Sequence, residues 1–156
     1  MTISEVMTKD PMFCAPCSSA QTAAIIMHQK ETGIVPVTED LFTRKLVGVV
    51  TDRDLCLAVL ARGRDPLQVR VEECMTRDPI TCRGDEVIGA VLRRMREHQV
   101  RRVPVVDRAG LLIGIVSLAD LVRQCSMSPA ELFEIMEKIC EPALRGSMEV
   151  HHRAAA

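Results

Sequence analysis

The chain has 156 residues, and its 20 basic and 21 acidic side chains give a formal net charge of −1. This balance argues against the bulk positive charge with which proteins bind DNA or anionic lipid. Apolar residues make up 47% of the chain, but its aromatic side chains are three Phe, without Trp or Tyr. The core must therefore be aliphatic, and stacking sites for single-stranded nucleic acid are disfavoured.

The sequence also bears on location. No apolar run approaches the length of a transmembrane helix, and no signal peptide precedes the first repeated motif. The seven Cys are an odd number and lie mostly within apolar patterns, which fits a reducing compartment better than a disulfide framework. We therefore expect a cytoplasmic protein without membrane or nucleic-acid partners.

The first 62 residues have the pattern of a small α+β unit. In order, they predict a helical lead-in (1–11), a short strand (12–14), a helix (19–29), two strands (34–37 and 46–51) and a second helix (52–62). Ser18 or Ser19 is the expected N-cap of the first long helix. Its buried stripe is expected to be Ala20, Ala23, Ala24 and Met27.

A linker over 63–72 leads to the same order of elements in residues 73–125. A strand over 80–82, strands over 101–106 and 111–116, and a helix beginning at Ser117 repeat the first unit. Asp85 is the expected N-cap of the intervening helix. The buried stripe of that helix is expected to be Val87, Ile88, Val91, Leu92 and Met95.

A further helix over 126–145 lies outside the repeat. Ser128 as N-cap, Pro129 at the first helical position and Glu131 three residues after the cap predict its start. This helix either covers another part of the same chain or contacts a partner, and residues 146–156 are expected to form a disordered tail. Its expected apolar face consists of Leu132, Phe133, Met136, Ile139 and Cys140.

The two units are copies of one motif. Met7-Thr8-Lys9-Asp10-Pro11 matches Met75-Thr76-Arg77-Asp78-Pro79, an offset of 79 − 11 = 68 residues. Val35-Pro36-Val37 matches Val103-Pro104-Val105 with the same offset. An ordered internal repeat of this length is a signal of the fold as a whole rather than of one site.

Each copy contains a Gly-x-x-Ser/Thr-x-x-Asp turn between an apolar strand and a helix. The hydroxyl and the carboxylate belong to Thr51 and Asp54 in the first copy, and to Ser117 and Asp120 in the second. Such a pair is typical of a capping box, which satisfies free backbone N–H groups at a helix start. The same atoms, next to a helix N-terminus that favours anions, are also suited to hold the two hydroxyls of a ribose. The residues alone leave both roles open.

Taken together and in order, these motifs resemble a tandem pair of CBS domains, the Bateman module. The resemblance covers roughly residues 1–125 and rests on the two Met-Thr-x-Asp-Pro openings, the two Val-Pro-Val strands and the two turns. It implies an α+β fold of two β-α-β-β-α motifs packed about a pseudo-two-fold axis, with two related clefts. Residues 1–62 would be the first motif and 73–125 the second, and two such modules commonly pair into a flat homodimer.

The resemblance further implies a regulatory ligand, AMP, ADP, ATP or S-adenosylmethionine, and no obligatory cofactor. On the matching positions of this chain, Asp54 and Asp120 would hold the ribose, with Thr51 and Ser117 beside them. The other implied contacts are the base-pocket residues Val49 and Ile115 and the phosphate-facing residues Gly33, Ile34, Arg101 and Arg102.

The phosphate-facing positions differ between the copies. Arg101 and Arg102 offer forked donors to phosphate, whereas the equivalent residues of the first copy carry no charge. We therefore predict that the cleft containing Asp120 binds a phosphorylated nucleotide better, and that Arg53 supplies a cation to the other cleft. The alternative for the two arginines is a solvated strand end.

Cys14-Ala15-Pro16-Cys17 is the main competing motif. It would serve as a redox pair or half of a zinc site, but no second Cys-x-x-Cys or Cys-x-x-His follows. No nucleophile with a paired base and no phosphate-binding glycine loop is recognisable, so we predict a protein that is not an enzyme. The preferred hypothesis is a regulatory module that senses an adenine nucleotide and signals to a protein partner in trans. The alternatives are a metal- or redox-responsive module using Cys14 and Cys17, and an oligomerisation scaffold with empty clefts.

Overall fold

The computed structural model describes residues 1–124 and 128–140. Its helices are α1 (Ile3–Val6), α2 (Ala20–Gln29), α3 (Asp52–Leu55), α4 (Ile88–Glu97), α5 (Leu118–Gln124) and α6 (Pro129–Cys140). A π-helical turn (Cys56–Leu60) continues α3, and a 3-10 helix (Val71–Glu73) follows later. Its strands are β1 (Thr8–Lys9), β2 (Ile34–Thr38), β3 (Leu46–Thr51), β4 (Thr76–Arg77), β5 (Cys82–Arg83), β6 (Arg102–Val106) and β7 (Leu112–Ser117). In this part of the chain, every helix is too short or too polar to cross a membrane. The predicted tail over 146–156 lies outside the described residues.

The strands form two sheets, and each sheet contains residues of both repeats. One sheet has the order β2-β3-β4 and the other β1-β7-β6-β5. The hairpins β2–β3 and β6–β7 belong to one repeat each. The short strands that lead into the two repeats, β1 and β4, each pair with the other repeat. Thr8 lies opposite Ile115 in β7, and Thr76 lies opposite Val49 in β3. The predicted α+β fold of two repeated motifs with an additional C-terminal helix is confirmed, and exchange of the lead-ins is added to it.

Two hydrophobic cores lie beneath the sheets, and the exchange continues into them. The first core contains Val69 and Val71, from the predicted linker and the 3-10 helix. The second core contains Ile3 of α1. Backbone bonds fix both segments, since the Val71 amide donates to the Ser18 carbonyl at 2.8 Å and the Ile3 amide to the Glu86 carbonyl at 3.0 Å. Neither repeat therefore completes its core with its own residues.

The glycines of the repeated turns allow the exchanged strands to approach. A Cβ on Gly48 would lie 2.7 Å from the carbonyl oxygen of Thr76, and one on Gly114 would lie 3.1 Å from that of Thr8. A backbone oxygen held in a strand pair cannot move aside as the end of a flexible side chain can. Both positions consequently require glycine or a shift of the paired strand.

The prediction for α2 is right in extent and partly wrong in its buried face. Ser19 is the N-cap, and its Oγ accepts a hydrogen bond from the Thr22 amide at 3.1 Å. Ala24, however, is exposed, and Ile26 is buried instead. The reason is that Ala24 lines an open groove between α2 and residues 52–60, which comprise α3 and the π-helical turn and are called the α3 segment below.

The predicted N-cap of α4, Asp85, is wrong. Val87 occupies the cap position and is exposed, whereas Asp85 pairs with Arg83, whose Nε lies 2.9 Å from the Asp85 Oδ1. The predicted strand over 12–14 is reduced to one bridge, between Cys14 and Val37. The remaining predicted stripe of α4, Ile88, Val91, Leu92 and Met95, is buried.

Helix α6 packs against α4, so it covers part of its own chain. Ile139 is buried in the second core, and Ile135 packs partly buried against it. The predicted face is only partly right, because Phe133, Met136 and Cys140 are exposed. Met136 nevertheless lines a cavity next to α5, and the Cys140 Sγ accepts a hydrogen bond from Arg101. Phe133, which is 67% exposed, is left as an apolar contact for a partner.

Candidate functional site

Two clefts open between the hairpins, and their walls are equivalent under the repeat. We name them the Thr51 cleft and the Ser117 cleft. The Thr51 cleft has a volume of about 580 Å³, and its wall includes Val49, Thr51, Thr76, Ile80, Val100 and Pro104. The Ser117 cleft has a volume of about 320 Å³, and its wall includes the equivalent Ile115, Ser117, Thr8, Met12, Thr32 and Pro36. Each cleft thus takes residues from both repeats.

A capping box stands at the end of β3 and at the end of β7. The Thr51 Oγ1 donates to the Asp54 Oδ2 at 2.7 Å, and the Asp54 amide donates to the Thr51 Oγ1 at 3.2 Å. The Ser117 Oγ donates to the Asp120 Oδ2 at 2.6 Å, and the Asp120 amide donates to the Ser117 Oγ at 3.1 Å. Each box uses Oδ2 of its carboxylate, and the Asp120 Oδ1 lies 3.7 Å from the Nη1 of the exposed Arg123. Helix capping and ligand binding through Oδ1 are therefore compatible.

The two carboxylates differ in access to their clefts. Asp120 is part of the wall of the Ser117 cleft. Asp54 is half-buried and stands behind Thr51, outside the wall of the Thr51 cleft. The structure brings together Ile115, Ser117 and Asp120 in one cleft, and Val49, Thr51 and Arg53 in the other.

The two arginines at the start of β6, Arg101 and Arg102, are not distributed between the clefts as predicted. Arg102 lines both clefts, but Arg101 lines the Thr51 cleft and not the Ser117 cleft. The two arginines thus share the Thr51 cleft, and only Arg102 of the pair also lines the Ser117 cleft. Arg102 reaches the first repeat, where its Nη1 lies 3.5 Å from the position of a Cβ on Gly33.

This placement reverses the expected charge difference between the clefts. In the Thr51 cleft, Arg53, Arg101 and Arg102 face one carboxylate, that of Asp52. The Ser117 cleft has a balanced set, with Lys9, Lys30 and Arg102 on one side and Asp10, Glu31 and Asp120 on the other. The charge argument for a phosphorylated nucleotide in the Ser117 cleft therefore fails, and the same argument favours the Thr51 cleft.

Sequence reasoning missed part of each wall. Thr8 and Met12 line one cleft, and Thr76 and Ile80 line the other, because each lead-in pairs with the opposite repeat. The repeated Met-Thr-x-Asp-Pro motif was the available signal, but it indicates only a repeat and not the sheet that it joins. Ile139 of α6 also lines the Thr51 cleft. No repeat pattern could have identified Ile139, since α6 lies outside the repeat.

The Cys14–Cys17 motif has a different environment. Cys14 is buried, and burial raises its pKa to about 12, with smaller contributions from the neighbouring thiols of Cys74 and Cys17. Reactive thiols have lowered pKa values, so Cys14 has the character of a core residue. Within residues 1–124 and 128–140, no three His, Cys, Asp or Glu side chains are grouped so that they could hold a metal ion. The geometry therefore favours the clefts as the functional site.

The family follows from a direct match to the sequence. The CBS domain model matches twice, at residues 3–61 and 71–127. This chain belongs to the CBS domain family. Each match includes a lead-in that packs on the other repeat, so one CBS domain of this pair, defined by sequence, is not one hydrophobic core.

Relatives of this CBS pair include proteins of similar length. The CBS domain-containing protein YhcV of Bacillus subtilis is 36% identical over 129 residues, which are 82% of this chain and 89% of YhcV. Hypoxic response protein 1 of Mycobacterium tuberculosis is 36% identical over 121 residues, 77% of this chain and 80% of that protein. A structure of Hypoxic Response Protein I with two coordinated zinc ions has a TM-score of 0.71 and 31% identity, and it covers 80% of this chain and 99% of its own.

Two similar structures contain adenosyl compounds. CBSX2 of Arabidopsis thaliana in complex with AMP has a TM-score of 0.66 and 29% identity, over 78% of this chain and 93% of its own. The CBS domain pair of protein MJ0100, in complex with 5′-methylthioadenosine and S-adenosyl-L-methionine, has a TM-score of 0.70 and 30% identity, over 79% and 94%. Both structures are similar to this chain over more than three quarters of its length.

Proposed function

We propose that this CBS pair is a regulatory module, without catalytic activity of its own, that binds adenosyl ligands and signals their level to a partner. The Ser117 cleft carries the proposal, because the hydroxyl of Ser117 and the carboxylate of Asp120 line it beside the apolar side chain of Ile115. The AMP complex of CBSX2 and the S-adenosylmethionine complex of MJ0100 support this ligand class. A ligand there contacts both repeats, so its binding energy acts on their relative packing.

The two clefts suit different ligands. The balanced charges of the Ser117 cleft fit an adenosyl ligand of low net charge, such as 5′-methylthioadenosine or S-adenosylmethionine. The three arginines of the Thr51 cleft fit the phosphates of ADP or ATP, since guanidinium groups bind phosphate oxygens through paired, charge-assisted hydrogen bonds. In the Thr51 cleft, Thr51 and Val49 would face the ribose and the base.

A thermal-shift experiment with two matched variants tests the ribose contact. Asp120→Ala and Asp54→Ala each remove one capping-box carboxylate, and each is expected to cost about 1 kcal/mol of stability. A ligand that binds only the folded protein raises the unfolding midpoint by mass action. We expect 5′-methylthioadenosine to raise the midpoint of the wild type and of Asp54→Ala, and to have little effect on Asp120→Ala.

Two outcomes of this experiment would contradict the proposal. An unchanged ligand response in Asp120→Ala would remove Asp120 from the site. No response of the wild type to AMP, ADP, ATP, 5′-methylthioadenosine or S-adenosylmethionine would remove the ligand class, and the scaffold hypothesis would then be preferred.

We further propose that the module acts as a cytoplasmic homodimer. The six cysteines of the described residues are free thiols, which agrees with a reducing compartment. The exposed apolar side chains of α2 and of the α3 segment, Ile25, Leu57 and Leu60, form the surface for the second copy.

A metal- or thiol-dependent response through Cys14 and Cys17 is the second candidate, and the zinc ions of Hypoxic Response Protein I favour it. Elemental analysis of the purified protein decides it. Stoichiometric zinc that is lost in Cys17→Ser would establish a metal site. Protein without zinc would contradict this second candidate and leave adenosyl binding as the preferred function.

A further inference from the structure

Helix α6 forms one wall of the Thr51 cleft, although it lies outside the CBS repeat. Its residue Ile139 is only 5% exposed and lines this cleft as well as the second core. No described residue of α6 lines the Ser117 cleft itself, although Leu132 and Met136 share a neighbouring cavity with Ser117. A ligand in the Thr51 cleft would therefore lie next to the C-terminal end of α6.

Two side chains of the cleft hold that end of α6. The Arg101 Nη2 donates to the Cys140 Sγ at 3.2 Å, and the Gln99 Nε2 donates to the Lys138 carbonyl oxygen at 3.3 Å. Arg101 and Gln99 both lie just ahead of β6, and both line the Thr51 cleft. Arg101 therefore belongs at once to the cleft and to the attachment of the helix.

The contact between Arg101 and Cys140 is an exchangeable one. A thiol sulfur is a weak hydrogen-bond acceptor, whereas a phosphate oxygen binds a guanidinium group through a stronger, charge-assisted bond. A nucleotide with phosphates in the Thr51 cleft would take Arg101 away from Cys140. The exposed surroundings of Cys140 leave room for this change, since that residue is not buried.

The rest of α6 is weakly held. Ile139 is its one buried residue, and Phe133 is 67% exposed. At its N-terminus the helix is capped by its own residues, with the Ser128 Oγ donating to the Glu131 Oε2 at 2.7 Å. A helix of 12 residues is marginally stable without tertiary contacts, so a loss of docking would appear as faster opening of its backbone.

We propose that α6 is the output element of the Thr51 cleft, because its docking and the phosphates of a bound nucleotide compete for Arg101. In the unliganded protein, Arg101 holds the end of α6 against the cleft. A di- or triphosphate nucleotide engages Arg101 and loosens the docking of α6, which raises the fraction of molecules that expose Ile135 and Ile139 to a protein partner. This inference rests on the proposed function for the presence of a nucleotide in the cleft.

Amide hydrogen exchange of the full chain, followed in peptides from 128–140, tests the inference. ATP is expected to speed exchange in α6 about fivefold, the factor that corresponds to the loss of one hydrogen bond. Adenosine, which lacks phosphates, should leave exchange in α6 unchanged. The variant Arg101→Ala should exchange about fivefold faster in α6 without any ligand, and ATP should not increase this further.

Arg53→Ala tests the ligand side of the competition, because Arg53 lines the same cleft and its side chain makes no hydrogen bond to the described part of α6. It should weaken the effect of ATP on exchange in α6. Binding of ATP, seen as a raised unfolding midpoint, together with unchanged or slower exchange in α6 would overturn the inference and leave the proposed function intact. An unfolding midpoint that does not change with ATP would overturn the proposed ligand of this cleft, and the inference with it. Unchanged exchange of α6 in Arg101→Ala would overturn the role of Arg101 alone.

Discussion

Cys14 and Cys82 are equivalent residues of the two repeats, since 14 + 68 = 82, and both are buried. Burial raises the pKa of each thiol from its ordinary value of 9.0 to about 12. The folded protein therefore keeps two thiol protons between pH 9 and 12 that the unfolded chain releases. Their contribution to stability is complete below pH 9 and is lost as the pH rises through the folded pKa values.

Alkylation of the native protein at pH 8 should separate the thiols into two groups. A pKa of 12 instead of 9 lowers the reactive thiolate fraction about a thousandfold. Cys14 and Cys82 should therefore remain unlabelled by iodoacetamide while the exposed Cys17, Cys56 and Cys140 react, as read by peptide mass spectrometry. Equal labelling of Cys14 and Cys17 would contradict this.

In urea unfolding, the loss of stability between pH 8 and 11 should be smaller for the double variant Cys14→Ala, Cys82→Ala than for the wild type.

At the same scale, the sequence predicts local pairs better than distant ones. The pairs Thr51–Asp54 and Ser117–Asp120 could be predicted because residues three positions apart at a helix start are brought together by the helix itself. The cleft that Arg101 faces could not be predicted. It depends on how two hairpins from different repeats are placed, and neither hairpin determines this alone.

Among the elements, the lead-ins show what a sequence repeat cannot predict, which is the unit on which each lead-in folds. An offset of 68 residues reveals two equivalent units, but it is the same whether each lead-in folds onto its own unit or onto the other. The signal for exchange was present in Gly48 and Gly114, which a strand approaches closely in both sheets. Glycine within an apolar strand indicates such an approach without naming the approaching strand.

Replacement of Ile3 should test the exchange. Its side chain is fully buried in the core of the second repeat, so Ile3→Ala should destabilise the protein by about 3 kcal/mol. Leu41→Ala is the control, since Leu41 is 57% exposed and its replacement should change stability by less than about 0.5 kcal/mol. The measurement is urea unfolding of both variants. Equal midpoints for Ile3→Ala and the wild type would show that α1 does not complete the second core in solution.

For the whole molecule, α6 breaks the symmetry of the outer surface. The position of Leu92, which lies beside α6, corresponds to Ala24 in the first repeat, since 24 + 68 = 92. Ala24 lines an open apolar groove of about 380 Å³ between α2 and the α3 segment, and no described residue of this chain fills it. Large exposed apolar surfaces mark interaction sites, so this groove is the side on which we expect the second copy.

A charge at this surface should prevent dimer formation. Leu60 is 75% exposed beside the groove, and Leu60→Glu would place a carboxylate in the expected interface, where desolvation is costly. We expect the dimer mass of the wild type to fall to the monomer mass in light scattering at micromolar concentration. Phe42→Glu, in the loop between β2 and β3, is the control and should remain dimeric. A monomeric wild type, or a dimeric Leu60→Glu, would exclude this interface.

The pairing of β1 with β7 also affects how the chain folds during synthesis. Thr8 lies opposite Ile115, so this segment waits for 115 − 8 = 107 further residues to be made before its partner exists. At typical rates of translation this interval is roughly 5–20 s. Throughout it, the apolar side chain of Ile3 has no core to enter, and contacts of such long sequence separation form slowly. Two chains made side by side on one messenger could therefore exchange lead-ins with each other, and the order of synthesis favours early engagement of this segment by a chaperone.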